Sequence, residues 1–231
     1  MKSSNHWKIW LLLLPIIGSA EVFVHPTRSG IATGLHISMP KSEWTNCVAW
    51  YSAEFPTIGI GTTNYTVPDL SPSGNDATQP TISAQPSVVS NAFVFDGAND
   101  IVMTPVFPDS DTSIAVDLRI RSTSVRQGFF GVQDGAYRFY VINSASYTSL
   151  RPGFGTEWAD CASVDTAEFF IAELRSSDRG FYVDNSLAYD FSATYSPSAL
   201  NYPIGFGGLA VGGSVWNYGS IDVRTVKIYN N

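Results

Sequence analysis

The sequence predicts an all-β chain, two antiparallel sheets packed as a sandwich, preceded by an N-terminal extension. Three observations carry this. Along Ser113 to Arg121, Ile114, Val116, Leu118 and Ile120 alternate with Ala115, Asp117, Arg119 and Arg121, the period of a strand with one face on a core and one in solvent. Similar apolar runs bounded by turn formers recur at Gly128–Val132, Tyr137–Ile142 and Glu168–Arg175. Beyond residue 40 no stretch repeats apolar residues at helical spacing, so almost no helix is expected.

Taken in order, residues 1–20 have a basic start, an apolar run from Ile9 to Ile17 and a small-residue end at Gly18-Ser-Ala20. That is the plan of a secretory signal cleaved after Ala20, and the run is too short to span a bilayer. The other reading keeps the segment as an assembly arm clamped by neighbouring subunits, as in a virus or bacteriophage particle, because an exposed apolar run of that size is an association site. Residues 21–46 read as an arm or accessory strand, with alternation at Glu21–His25 and Leu35–Met39. Residues 47–231 form the main domain.

That domain opens with Val48-Ala-Trp-Tyr51, followed by a long connection, Thr57 to Asp76, interrupted by a short strand at Tyr65–Val67. Asn91 to Val102 reads as a strand through Phe93 and Phe95, a tight turn at Asp96-Gly97 and a returning strand through Ile101 and Val102. The charges alternating along Ser113 to Arg121 are of the kind that discourages pairing at a sheet edge. The glycine-rich stretch from Asn201 to Gly219 marks bulges and close packing, since no helix follows that would make it a phosphate loop. The last strand shifts phase between Ile221/Val223 and Val226/Ile228, which predicts a bulge near Thr225.

These pieces resemble the laminin-G-like, concanavalin A-like jelly-roll family. The matching segments are Ala49-Trp-Tyr51 to Phe55, the loop Asp69 to Ala77, Phe95-Asp-Gly-Ala-Asn-Asp100, the hairpin Arg179 to Ala188 with Asp184-Asn185 at its turn, and the closing strand Gly219 to Asn230. The resemblance spans Cys47 to Asn231 and implies a jelly roll, a fold that hosts lectins, glycosidases, lyases and structural modules alike. It also implies calcium at the sandwich rim, with Asp69, Asn75, Asp76, Asp96, Asn99 and Asp100 as oxygen ligands. Asp and Asn are equally what turns are made of.

Composition narrows the function classes. With 231 residues and 44% hydrophobic content, one large β domain can bury a sizeable core. Only 14% of residues are charged, against the usual quarter, which suits an exposed β-protein surfaced by Ser, Thr, Asn, Gln and Tyr. A net charge of −7 without a Lys/Arg cluster excludes nucleic acid as a partner. Cys47 and Cys161 are one disulfide or two thiols. His6, His25 and His36 all precede the domain, so neither a thiol nucleophile nor a His-based metal site is expected.

No catalytic residue is assigned. Glycoside hydrolysis needs two carboxylates on one strand face, and the Glu-x-Asp-x-x-Glu signature of the family's hydrolases is absent. Glu168 and Glu173, five apart, fall on opposite faces of a regular strand, and Glu157 sits beside Trp158 in a loop. Sugar recognition asks for aromatic faces flanked by planar polar groups, and the candidates are Trp158, Trp216, Asn217 and Tyr218, with Tyr147, Tyr195 and Tyr202 as further loop aromatics. The expectation is a non-enzymatic, lectin-like module on a virus or phage particle or, alternatively, a secreted bacterial carbohydrate-binding or adhesion protein, touching glycans and, through the arm, other assembly subunits; a third reading, a glycan-cleaving enzyme, would rest on Glu157 or Glu173.

Overall fold

A computed structural model describes residues 46–109, 111–122, 127–134, 137–143, 149–161, 167–192, 201–211, 214–216 and 218–230. All belong to the second of the chain's two units, Asn46–Asn231. The segment 1–20 and the arm as far as residue 45 lie outside the described residues.

The strands in chain order are β1 (Cys47–Ser52), β2 (Tyr65–Val67), β3 (Ala77–Gln79), β4 (Ser87–Val89), β5 (Ala92–Val94) and β6 (Val102–Met103). Then come β7 (Thr112–Ile120), β8 (Gly128–Asp134), β9 (Tyr137–Asn143), β10 (Leu150–Gly155), β11 (Glu157–Trp158) and β12 (Phe170–Arg175). The last six are β13 (Gly180–Val183), β14 (Ser186–Asp190), β15 (Gly205–Phe206), β16 (Leu209–Val211), β17 (Ser214–Trp216) and β18 (Ile221–Asn230). Among the described residues the only helical element is a 3-10 turn at Ile82–Ala84.

The strands form two sheets. The first runs β14-β13-β12-β7-β18-β5-β4, with β1 beside β18, and the second runs β11-β10-β9-β8-β15-β6-β3-β2, with β16 and β17 attached at β8. Pairing is antiparallel apart from β16 on β8. The core lies between the sheets. Ile114, Val116, Leu118 and Ile120 of β7 meet Phe129, Phe139, Phe154 and Phe206 from the second sheet there, all nearly or fully buried. The alternation in β7 is thus the core-and-solvent pattern that the sequence predicts. Its charges do not guard an edge, because β7 lies centrally between β12 and β18.

The bulge is present. Val223 pairs with Leu118 and Thr225 with Asp117, leaving Arg224 as the extra residue. The Asp184-Asn185 turn joins β13 to β14 with both residues at positive φ, 49° and 63°, the requirement of a type I′ hairpin. The hairpin expected at Asp96-Gly97 is not formed. That turn carries the chain from β5 in the first sheet to β6 in the second, and the true hairpin lies just upstream, at Ser90-Asn91 between β4 and β5, with φ of 50° and 60°. Turn chemistry specifies a reversal of direction but not which sheet receives the chain. No disulfide joins Cys47 and Cys161, the first buried and the second half-buried.

Candidate functional site

Among the described residues, the outward face of the first sheet carries a group of charged and polar side chains. Registers across β13, β12, β7, β18 and β1 place Tyr182, Glu173, Ala115, Lys227 and Trp50 in one row. Ile171, Asp117, Thr225 and Ser52 form the next row. Ala115 is the short side chain amid longer ones, so the sheet surface dips over it. The result is a depression of about 440 Å³, whose rim includes Asp117, Glu173, Arg175, Asn185, Lys227 and Tyr229. Its size falls in the ordinary range for small-ligand sites.

The polar groups of this face are held in place. Arg175 donates to Glu173 Oε2 at 2.7 Å and lies 3.9 Å over the Tyr182 ring, and the Glu173 hydrogen bond raises the guanidinium pKa. Lys227 sits 5.8 Å from the Trp50 ring centroid, at the reach of a cation–π contact. Burial raises the Asp117 carboxyl pKa, and the nearby Arg224 opposes it. Farther along, Arg119 Nε donates to Asp222 Oδ2 at 3.1 Å. The face therefore offers fixed donors and acceptors on a solid floor, an arrangement able to bind a polyhydroxylated molecule with little reorganisation.

No protein-family model matches the chain, and no curated protein matches it. Solved structures do. The sialidase of Trypanosoma rangeli, in its covalent complex with 2,3-difluorosialic acid, superposes with a TM-score of 0.62 at 15% identity over 80% of this chain and 31% of that one. The same sialidase without a named ligand gives 0.60 at 14% identity over 87% and 32%. Domain 4 of AbnA, a GH43 extracellular arabinanase from Geobacillus stearothermophilus, solved with arabinotriose, gives 0.55 at 14% identity over 80% of this chain and 93% of that one. The chain thus spans about a third of the sialidase. At such identities the likeness shows a shared β-sandwich fold.

The residues singled out from sequence are scattered. Trp158, on β11 at the edge of the second sheet, is 48% exposed, and the Arg151 guanidinium lies 4.3 Å over its ring while bonding Asp160 at 2.7 and 2.9 Å. Trp216 ends β17 opposite Leu209, and Tyr218 is half-buried. Asn217, Tyr147 and Tyr195 lie outside the described residues. Glu157 accepts from the Tyr189 hydroxyl at 2.9 Å and from Ser192 N–H and hydroxyl at 3.0 Å, so it clamps two segments together. Glu168 is exposed just before β12, and Glu173 lies on the outward face.

The acidic loops bind their own backbone. Both Asp69 oxygens accept, from Trp50 N–H, Ser71 N–H and hydroxyl, and Asn75 N–H, each at 2.8 Å. Asp76 Oδ1 accepts from Asp69 N–H, and the Asn75 amide donates to Val48 O. In the other loop Asp96 Oδ1 accepts from Ala98 and Asn99 N–H, and Asp100 Oδ2 from Asp96 N–H. Among the described residues no three His, Cys, Asp or Glu gather as a metal-ligand set. Sequence reading missed Glu173, Arg175, Arg224 and Lys227 as a group, although the solvent-facing half of the β7 alternation pointed to this face.

Proposed function

We propose that the chain is a non-enzymatic glycan-binding module that holds a saccharide on the outward face of its first sheet, over Ala115. The observation that carries this is the depression itself. A small residue in the central strand is ringed by Glu173, Lys227, Arg175 and Asn185, which can fix hydroxyls, with Tyr229 and Ile171 as apolar surface. The sandwich resembles an arabinanase domain solved with arabinotriose, and the sequence motifs resemble lectin-like jelly rolls, which supports the same reading. Display on a particle or after secretion is compatible with it. An N-terminus at Glu21 in native material is expected for secretion, and one at Met1 or Lys2 for an assembly arm.

Calorimetric titration with a panel of neutral and acidic oligosaccharides tests this. Wild type is expected to bind at least one, and Ala115→Trp, which fills the depression from an already half-exposed position, is expected to weaken it by more than about tenfold, roughly 1.4 kcal/mol, with the fold unchanged. Loss on Trp158→Ala instead would move the site to the edge of the second sheet.

A second reading has one observation in its favour. Asp117, whose carboxyl pKa is raised by burial, and Glu173, which accepts a hydrogen bond from Arg175, line one depression from adjacent strands, and a pair of carboxylates on one face is what glycoside hydrolysis uses. Release of reducing sugar that disappears with Asp117→Asn would favour cleavage over binding.

A further inference from the structure

About 13 Å along β7 from Ala115, at roughly 3.3 Å per residue, a second depression of about 420 Å³ opens on the same face, lined by Arg119, Arg121, Arg224, Asp222, Phe169 and Val94, among others. Its cations are arranged unequally. Arg119 is anchored: it bonds the buried Asp222 carboxylate and lies 4.9 Å from the Phe169 centroid. Arg224, projected by the β18 bulge, lies 3.5 Å over the same ring. Arg121 reaches Asp222 Oδ1 only at 3.6 Å, outside hydrogen-bond range, with its side chain 47% exposed. Among the described residues neither the Arg121 nor the Arg224 guanidinium donates a hydrogen bond, so two planar donor forks stand unspent beside one fixed by Asp222 and Phe169. A chain of net charge −7 has collected three guanidiniums within one small hollow. The carboxylates facing them are Asp222, Asp117 from the neighbouring row, and the exposed Glu54, which shares a flanking hollow with Arg224.

Guanidinium forks match a planar carboxylate in a bidentate fashion. We propose that this second hollow is the subsite for an acidic sugar, its carboxylate bound by Arg121 and Arg224, so that the glycan recognised by the sheet face is anionic. Val89, Ala92 and Val94 supply the apolar wall for the ring's C–H surface. The inference rests on the reading of this face as a glycan site.

The test is an array of uronic- and ulosonic-acid oligosaccharides, their carboxyl-reduced counterparts and sulfated analogues, probed with the full chain, Arg121→Gln, Arg224→Gln and Ala115→Trp. Carboxylated glycans are expected to bind at least tenfold tighter than their reduced forms, and each Arg→Gln change to remove most of that preference. Binding should weaken as salt rises. Equal binding of acidic and reduced glycans, sparing by both Arg substitutions, or binding to sulfated sugars alone would overturn the acidic subsite. If Ala115→Trp still abolishes binding in such a case, the glycan-binding face survives without it. An array with no binder at all sinks both.

Discussion

At the scale of single residues, Asp69 is the hub of the loop after β2. Four donors converge on its two oxygens and tie the loop after β2 to Trp50 in β1. Asp69→Ala strands those donors, and at about 1–3 kcal/mol for each partner lost from a partly buried hydrogen bond to a charged group, the expected loss is roughly 3 kcal/mol. For a domain of this size that lowers Tm by roughly 6–12 °C in a thermal melt. Asp100 behaves in the opposite sense. Burial raises its carboxyl pKa, the leading cause, against the Asp96 hydrogen bond. A carboxyl whose pKa is higher in the folded state costs stability as pH climbs from the unfolded through the folded value, because the unfolded chain then releases its proton more readily. Asp100→Asn, which keeps an acceptor for Asp96 N–H, should therefore raise stability at neutral pH and flatten the decline above the carboxylate range. A denaturant series across pH 4 to 8 reads this, and an unchanged slope would refute it. The turn-forming Asp and Asn were legible in the sequence, but whether they serve turns or a ligand depends on which backbone N–H groups they face.

At the scale of elements, the β18 bulge makes a specific expectation. Val223 and Thr225 already face Leu118 and Asp117 with Arg224 between them, so deleting Arg224 leaves Asp222 and Thr225 outward and Val223 and Val226 inward. The strand stays in register and stability should change little beyond the lost hydrogen bond from Ala53 N–H to Arg224 O and the lost contact of its guanidinium with the Phe169 ring. Deleting Lys227 instead turns the buried Ile228 to solvent and the half-buried Tyr229 inward, because one residue flips every side chain beyond it. That should cost several kcal/mol, at about 1.5–3 for each buried apolar side chain expelled. Equal destabilisation of the two deletions in thermal melts would contradict the register. The bulge and the Asp184-Asn185 hairpin were readable because period-two alternation and turn chemistry are local. The crossing after β5 was not, since Phe93 and Phe95 look alike whether the chain next pairs in its own sheet or leaves for the other.

At the scale of the whole molecule, the fold class follows from alternation alone, and the inner faces of the two sheets contain the side chains that the pattern nominates. The candidate site was far less legible. Its parts lie on strands distant in sequence: Asp222 bonds Arg119 across 103 positions, and Lys227 joins Ala115 and Glu173 only through strand registers. The sequence nominates aromatic residues in loops, yet Trp158 is half covered by Arg151 and Glu157 is spent on Tyr189 and Ser192. The proposed binding face is recognisable only once β12, β7 and β18 lie side by side. Its central claim, that a saccharide lies across those strands, is tested most directly by following backbone amide resonances during titration with a glycan that binds. The account requires the largest shifts at Ala115, Asp117, Glu173, Thr225 and Lys227, extending to Arg119 and Arg224 for an acidic glycan. Shifts confined to the second sheet, around Trp158 and Arg151, would contradict it.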